Sequence, residues 1–368
     1  AAAALITGDI DRLWARAARP FMLIAWIALP IGIAGGSWWA YYDLGWGGFW
    51  FWDPVENASL MPWLVGTALL HSALATERTG AFRVWTLLLS IMAFSLSLIG
   101  TFLVRSGVVT SVHAFASDPA RGVFILLILF LAIGGALALF AWRAPKLASG
   151  SAFQPASRET TLLINNVLLV TALAVVFIGT IYPIVLAAMG TRISVGAPYY
   201  ELFFAPLFLA LMVVLPFGPR LNWRRGDLKE ALRSLYPALG AAGVALIAMF
   251  ALITPRTIAG AGSFAVAAWV IGASAVDIVR ILRGRAIAVA AFAAALAHAG
   301  LGITLMGVAG TTLWRSEALE VLGPGETMHI AGYDLTLDGV TVANGPNYQA
   351  LRATLEVASG GRSLGVMT

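Results

Sequence analysis

Apolar runs of about twenty residues, separated by short polar or basic stretches, recur along most of this 368-residue chain. A helix needs about 20 mainly apolar residues to cross a hydrocarbon layer about 30 Å thick, and nine stretches meet that length: 20–40, 59–76, 84–104, 122–142, 161–184, 202–219, 237–254, 264–281 and 287–310. After the ninth the period changes. Residues from Glu326 to Val342 alternate around Ala331-Gly332, and those from Ala350 to Val366 alternate around Ser359-Gly360-Gly361, the two-residue period and the turn residues of β hairpins. The pattern predicts an all-α polytopic membrane domain over 1–310, with about nine transmembrane helices, and a small outer-face β-rich segment over 311–368.

Composition excludes the soluble globular classes, since 60% of residues are hydrophobic, 11% are charged and the mean hydropathy is +0.87. Basic residues then orient the helices. If the first end lies inside, sixteen of the twenty-three lysines and arginines fall on cytoplasmic connections, among them Arg78, Arg83, Arg143, Arg220, Arg224 and Arg283. The net charge of +5 is accounted for by this rim, which leaves no basic surplus for a nucleic-acid partner. The same orientation puts the loops 41–58 and 105–121 and the C-terminal segment outside, in the periplasm if the membrane is a bacterial inner membrane. The chain contains no cysteine, so any thiol chemistry belongs to partners. It opens on Ala1 rather than methionine and stops at Thr368 inside a predicted strand; sequence is expected to be missing at both ends.

Two features carry candidate chemistry. Six of the thirteen tryptophans lie between Trp38 and Trp63. An interfacial aromatic belt explains Trp38, Trp39 and Trp63, but not the compact run Trp46-Gly47-Gly48-Phe49-Trp50-Phe51-Trp52-Asp53-Pro54-Val55-Glu56-Asn57. Flat rings on a short loop, made approachable by two glycines, suit a flat apolar ligand such as porphyrin. The second feature is the placement of the histidines, of which there are four: His71, His113, His298 and His329. Counting inward from Leu60 and from Ala309 at about 1.5 Å per residue sets His71 and His298 at matched depth, about 16 Å below the outer surface. Either alone is ordinarily a hydrogen-bonding residue between helices. A matched pair has the geometry of a bis-imidazole haem site, and small residues from Ala291 to Gly302 flank His298 where a macrocycle would lie. His113 stands in the other outer loop, between Arg105 and Arg121, whose guanidiniums suit propionate carboxylates. His329, on a predicted outer strand, reads as structural.

The run Trp46 to Ser59 with Leu60-Met61-Pro62-Trp63 behind it resembles the signature of the tryptophan-rich haem-handling superfamily. Within that superfamily it is similar to the cytochrome c maturation F proteins, the haem-lyase branch. The similarity continues through Leu70-His71-Ser72, Arg105-Ser106-Gly107-Val108-Val109-Thr110-Ser111-Val112-His113-Ala114-Phe115 and Ala297-His298-Ala299-Gly300. Related haem exporters lack the Pro-Val-Glu-Asn continuation. The resemblance implies a haem lyase that receives haem from a haem chaperone and attaches it to Cys-x-x-Cys-His motifs of apocytochrome c, together with a thiol-handling partner. It implies a buried b-type haem on His71 and His298, acting as reductant, and a transient substrate haem in the outer loop. For that substrate, His113 is the iron ligand, with Trp46, Trp50, Trp52, Asp53 and Arg105 as contacts and with His113 and Asp53 at the reaction centre. The family's second outer ligand precedes the signature, whereas no histidine precedes His71 here, which adds to the expectation of missing upstream sequence.

Two other classes account for part of the pattern. An integral b-type cytochrome of a respiratory complex needs membrane histidines, although carrying electrons across the whole bilayer ordinarily takes four, and two are present in the predicted spans. A haem transporter without ligation activity, or an ion transporter, is expected to show repeated halves or charges near mid-membrane. Asp277 is the nearest such charge and lies toward the cytoplasmic end beside Arg280.

Overall fold

A computed structural model describes all residues except 44–47, 110, 112–117, 148–151, 253–256 and 285–287. Its helices are α1 (Ala2–Thr7), α2 (Arg12–Tyr42), α3 (Pro54–Thr79), α4 (Arg83–Ser106), α5 (Pro119–Arg143), α6 (Arg158–Ala188), α7 (Ala197–Val214), α8 (Leu228–Ser234), α9 (Tyr236–Leu252), α10 (Ile258–Leu282) and α11 (Val289–Leu313). Among the described residues eight helices are long and apolar enough to span a bilayer, or nine if α8 and α9, inclined at 54°, form one broken span. The helices overrun the predicted apolar windows. The second begins at Arg12 rather than near residue 20, and the seventh at Ala197 rather than near 202, because hydropathy marks only the hydrocarbon-depth middle of a helix whose ends continue into the polar interface.

Short polar residues set the starts. The side chains of Asp11, Asp53, Asp118, Ser157, Asp227 and Thr257 each accept a hydrogen bond from a first-turn N–H, which satisfies donors that the helix itself leaves unpaired. Pro54 and Pro119 follow two of these caps at the first helical position, where a missing N–H costs nothing.

The chain divides into two compact units, Ala1–Thr304 and Leu305–Thr368. In the first, α3 is central: it packs on α2, α4 and α6, and buries Met61, Leu64, Val65 and Ala68 together with the polar Asn57, Ser72 and Thr76. Helix α6 continues the packing to α7, and α10 packs on α9 and α7. Outward-facing Phe21, Ile24, Phe130 and Ile247 are exposed, the surface expected of helices whose solvent is lipid. The connection between α7 and α8 is pinned to the start of α6. Arg158 donates to the carbonyls of Leu221 and Pro219, at 2.9 and 2.7 Å, and the buried Glu159 carboxylate accepts from the Arg224 N–H at 2.8 Å. The Trp269 indole of α10 donates to the Val213 carbonyl, so the residues between Val213 and Arg224 are held from both sides.

In the second unit, β1 (Thr327–Ile330), β2 (Tyr333–Asn344), β3 (Gln349–Ser359) and β4 (Arg362–Met367) form an antiparallel meander in sequence order. Its first and last turns fall at Ala331-Gly332 and Gly360-Gly361, as the alternation predicts. Both residues of each turn lie at positive φ, the geometry whose twist matches that of paired strands. His329 faces Asp334 across the first hairpin and shares a hydrogen bond with its carboxylate.

Candidate functional site

The site is built outward from the start of α3. Asp53 caps that helix by accepting from the Val55 N–H at 2.9 Å, while the Glu56 carboxylate reaches back to the N–H groups of Asp53 and Phe51, at 3.1 and 2.8 Å. This is a reciprocal capping box. The same Asp53 oxygen accepts from the Ser111 hydroxyl at 2.6 Å, so the carboxylate joins the tryptophan-rich loop to the second outer loop. The structure thus gives Asp53 a capping and bridging position. The Asp-Pro-Val-Glu spacing signals such a cap as plainly as it signals an acidic contact.

Before the cap the backbone makes an unusual turn. Trp52 has φ 56°, a left-handed conformation that costs a bulky residue about 1–3 kcal/mol unless its surroundings enforce it. They do. Its indole stacks on Tyr200 of α7 at 4.4 Å and 6°, meets Phe204 edge-on at 5.3 Å and meets Trp50 edge-on at 5.9 Å. Its carbonyl accepts from the Asn57 amide at 3.1 Å. The same amide nitrogen, fully buried, shares its two hydrogens with the Tyr200 hydroxyl, at 3.0 Å, and Thr180 of α6, at 3.1 Å, as well as with that carbonyl. Tyr200 approaches so closely because Gly179 leaves room: a Cβ there would lie 2.7 Å from the tyrosine hydroxyl. Replacing Asn57 by Ala leaves buried partners unsatisfied and is expected to destabilise the protein by about 1–3 kcal/mol, read as a fall in the thermal unfolding midpoint in detergent.

Trp50 walls a cavity of about 290 Å³ that it shares with Ala28, Gly32 and Gly36 of α2 and Val55 and Ser59 of α3. Arg105 ends α4 exposed, and its carbonyl accepts from the Asp118 N–H at 2.9 Å. Trp46 and His113 lie outside the described residues. Sequence reasoning passes over Asn57 as a partner of Thr180, Tyr200 and Trp52. The signal available was the Glu-Asn pair after the proline; nothing local points from it to residue 200.

At mid-bundle, His71 Nδ1 lies 2.8 Å from the Thr67 carbonyl one turn back on α3. A carbonyl only accepts, so Nδ1 carries the proton and the neutral ring keeps its lone pair on Nε2. That is the tautomer and the backbone support of a metal-ligating imidazole, and it fits an axial haem ligand. The support is itself braced, because the Thr67 hydroxyl donates to the Trp63 carbonyl and accepts from the Trp26 indole of α2, both at 2.8 Å. Trp26 and Trp63 stack at 6.0 Å.

His298 sits on α11 beside Ala295, Ala299 and Gly302, which are buried. A Cβ at Gly302 would lie 3.1 Å from the Ala267 carbonyl and 2.7 Å from Ile271, so glycine lets α11 cross α10 at close range. His71 and Arg220 are among the ionisable side chains that lie close to His298. Among the described residues no group of three or more histidine, cysteine or acidic side chains gathers as a multi-residue metal site. A two-imidazole site with porphyrin nitrogens completing the iron's coordination does not require one.

Comparison with known proteins covers both units. The family described as "Cytochrome C assembly protein" matches residues 6–113, and "CcmF C-terminal beta-sandwich" matches residues 313–368. Cytochrome c-type biogenesis protein CycK of Bradyrhizobium diazoefficiens is 52% identical over 100% of this chain and 58% of its own length. Cytochrome c-type biogenesis protein CcmF of Escherichia coli is 44% identical over 98% of this chain and 56% of its own. A solved structure titled "Cytochrome c Heme Lyase CcmF" aligns with a TM-score of 0.74 at 26% identity, over 99% of this chain and 57% of that one. The chain therefore spans a little more than half the length of the proteins it resembles.

Proposed function

This chain belongs to the CcmF/CycK family of cytochrome c-type biogenesis proteins, and from that premise we propose that it acts as a haem lyase in a bacterial inner membrane. The arginine-rich ends of its helices face the cytoplasm, and the tryptophan-rich loop, the loop after α4 and the β meander face the periplasm. Its substrates are haem delivered by a chaperone and an apocytochrome c whose Cys-x-x-Cys-His thiols are kept reduced by a thiol-handling partner. The reaction adds each S–H across a haem vinyl group: a C–S bond forms, the proton goes to the other vinyl carbon, and no net oxidation occurs.

The chain's residues position this addition. Trp50 and Trp52 offer rigid aromatic faces for the substrate porphyrin, Trp46 and Asp53 are further contacts, and Arg105 pairs with a propionate. Asp53 acts by holding the two outer loops together through Ser111, and His113 ligates the iron until the apocytochrome histidine takes its place. Proximity of the vinyl edge to the thiols is the main rate advantage such a cradle supplies. His71, through Nε2, and His298 would hold a resident b-type haem. When bound, that group supplies one-electron reduction that keeps the substrate iron ferrous.

One observation supports the reading most: the Thr67 carbonyl holds the Nδ1 proton of His71, which leaves the Nε2 lone pair for a metal. His113→Ala is expected to abolish haem-stained c-type cytochromes in cells that depend on this protein, with the absorption of the resident haem unchanged. Normal cytochrome c levels in that variant would remove His113 from the reaction.

A further inference from the structure

Arg220 lies in the connection after α7, yet its side chain is only 2% exposed. One terminal nitrogen contacts Asp277 of α10 at 3.1 Å and donates to the Ala273 carbonyl at 2.8 Å, and the other donates to the Pro216 carbonyl at 2.8 Å. Its buried Nε finds no partner among the described residues. A guanidinium stays charged in proteins and is costly to bury, so a cation enclosed to this degree, with one donor unspent, calls for a reason beyond tying a loop to a helix.

The register of α10 against α11 supplies one. These helices are consecutive and run in opposite directions, and Gly302 lies against Ala267 and Ile271. Moving four residues back along α11 from Gly302 reaches His298, and moving the same distance forward along α10 reaches the stretch centred on Ala273. Arg220 donates to the carbonyl of that residue. The cation therefore stands at the depth of the imidazole, while Asp277 sits one turn further toward the end of α10. Of the two partners, Asp277 is the more exposed.

We propose that Arg220 is a fixed cation of the resident haem site, one that raises the reduction potential of the iron held by His71 and His298, and that Asp277 is the counter-charge limiting its effect. The inference rests on the haem-ligand reading above. Reduction of ferric to ferrous iron removes one positive charge from the porphyrin centre, so a neighbouring cation in a low-dielectric interior favours the reduced form. The resident iron is thereby held in its reduced form and made a milder electron donor to the substrate iron. Asp277, held beside Arg220, prevents the unbalanced charge from destabilising the bundle.

Redox titration of the purified full chain, followed by the haem absorption band, tests this. Arg220→Gln is expected to lower the equilibrium constant for reduction at least tenfold, a fall of about 59 mV for one electron. Arg220→Lys is expected to lower it less, and Asp277→Asn is expected to raise it. Opposite signs at residues 220 and 277 support a field acting on the iron; unchanged potentials, or shifts in the same direction, overturn it. If Arg220→Gln does not fold, the sign at Asp277→Asn decides alone. Absence of a bis-imidazole haem from the unmodified protein would instead overturn the ligand assignment and this inference with it, whereas a normal haem spectrum with unmoved potentials removes the inference only.

Discussion

Replacing either His71 or His298 by alanine is expected to eliminate the low-spin b-type absorption of the purified protein, not merely to weaken it. Low-spin haem needs both axial positions filled by strong-field ligands, and the described residues offer no third imidazole in the membrane-spanning helices. In the proposed site the bond to the Thr67 carbonyl orients the His71 ring, and the substitution removes the proposed ligand together with that orientation. His298 is carried by α11, which approaches α10 closely at Gly302. Full haem content in either variant would show that the two rings do not share a metal. The expected loss is measured against haem extracted from the unmodified chain, at equal protein.

The second large effect is expected at the outer loop. Trp50→Ala combined with Trp52→Ala should abolish the production of c-type cytochromes while leaving the resident haem spectrum in place. The two indoles form one unit, edge to face at 5.9 Å, with Trp52 stacked on Tyr200, and removing both deletes the rigid aromatic surface. The helix behind them survives, because its start is capped by Asp53 and Glu56 rather than by either tryptophan. This separation makes the experiment informative: a general folding defect would remove both haem signals, and a cradle defect removes only the covalent product. Undiminished cytochrome c would assign the rings to the aromatic belt of the membrane interface.

The membrane spans and the β meander were legible because each follows from a strong local requirement. About twenty apolar residues are needed to cross lipid, and Ala331-Gly332 and Gly360-Gly361 mark the turns between alternating strands. The ends of the spans were not legible, since hydropathy is silent once a helix leaves the hydrocarbon. This is why Tyr200 fell outside the predicted sixth span and its stack with Trp52 went unforeseen. Depth could be counted for His71 and His298 along their own helices. Azimuth could not, and the pairing of Arg220 with Asp277 required a loop to fold back across α10. The left-handed Trp52 was hidden for the same reason: the forces that impose it come from Asn57, Tyr200 and Phe204 on three-dimensional neighbours, not from its adjacent residues.

The bond that orients His71 ends on a main-chain oxygen, and this bears on how the site tolerates genetic change. A side-chain acceptor is lost whenever its codon mutates, but every residue compatible with a helix presents the same oxygen at position 67. Substitutions there disturb the bracing by Trp26 and Trp63 without erasing the proton's anchor. The protonation pattern of this imidazole is thus set by the helix itself and not by a replaceable side chain.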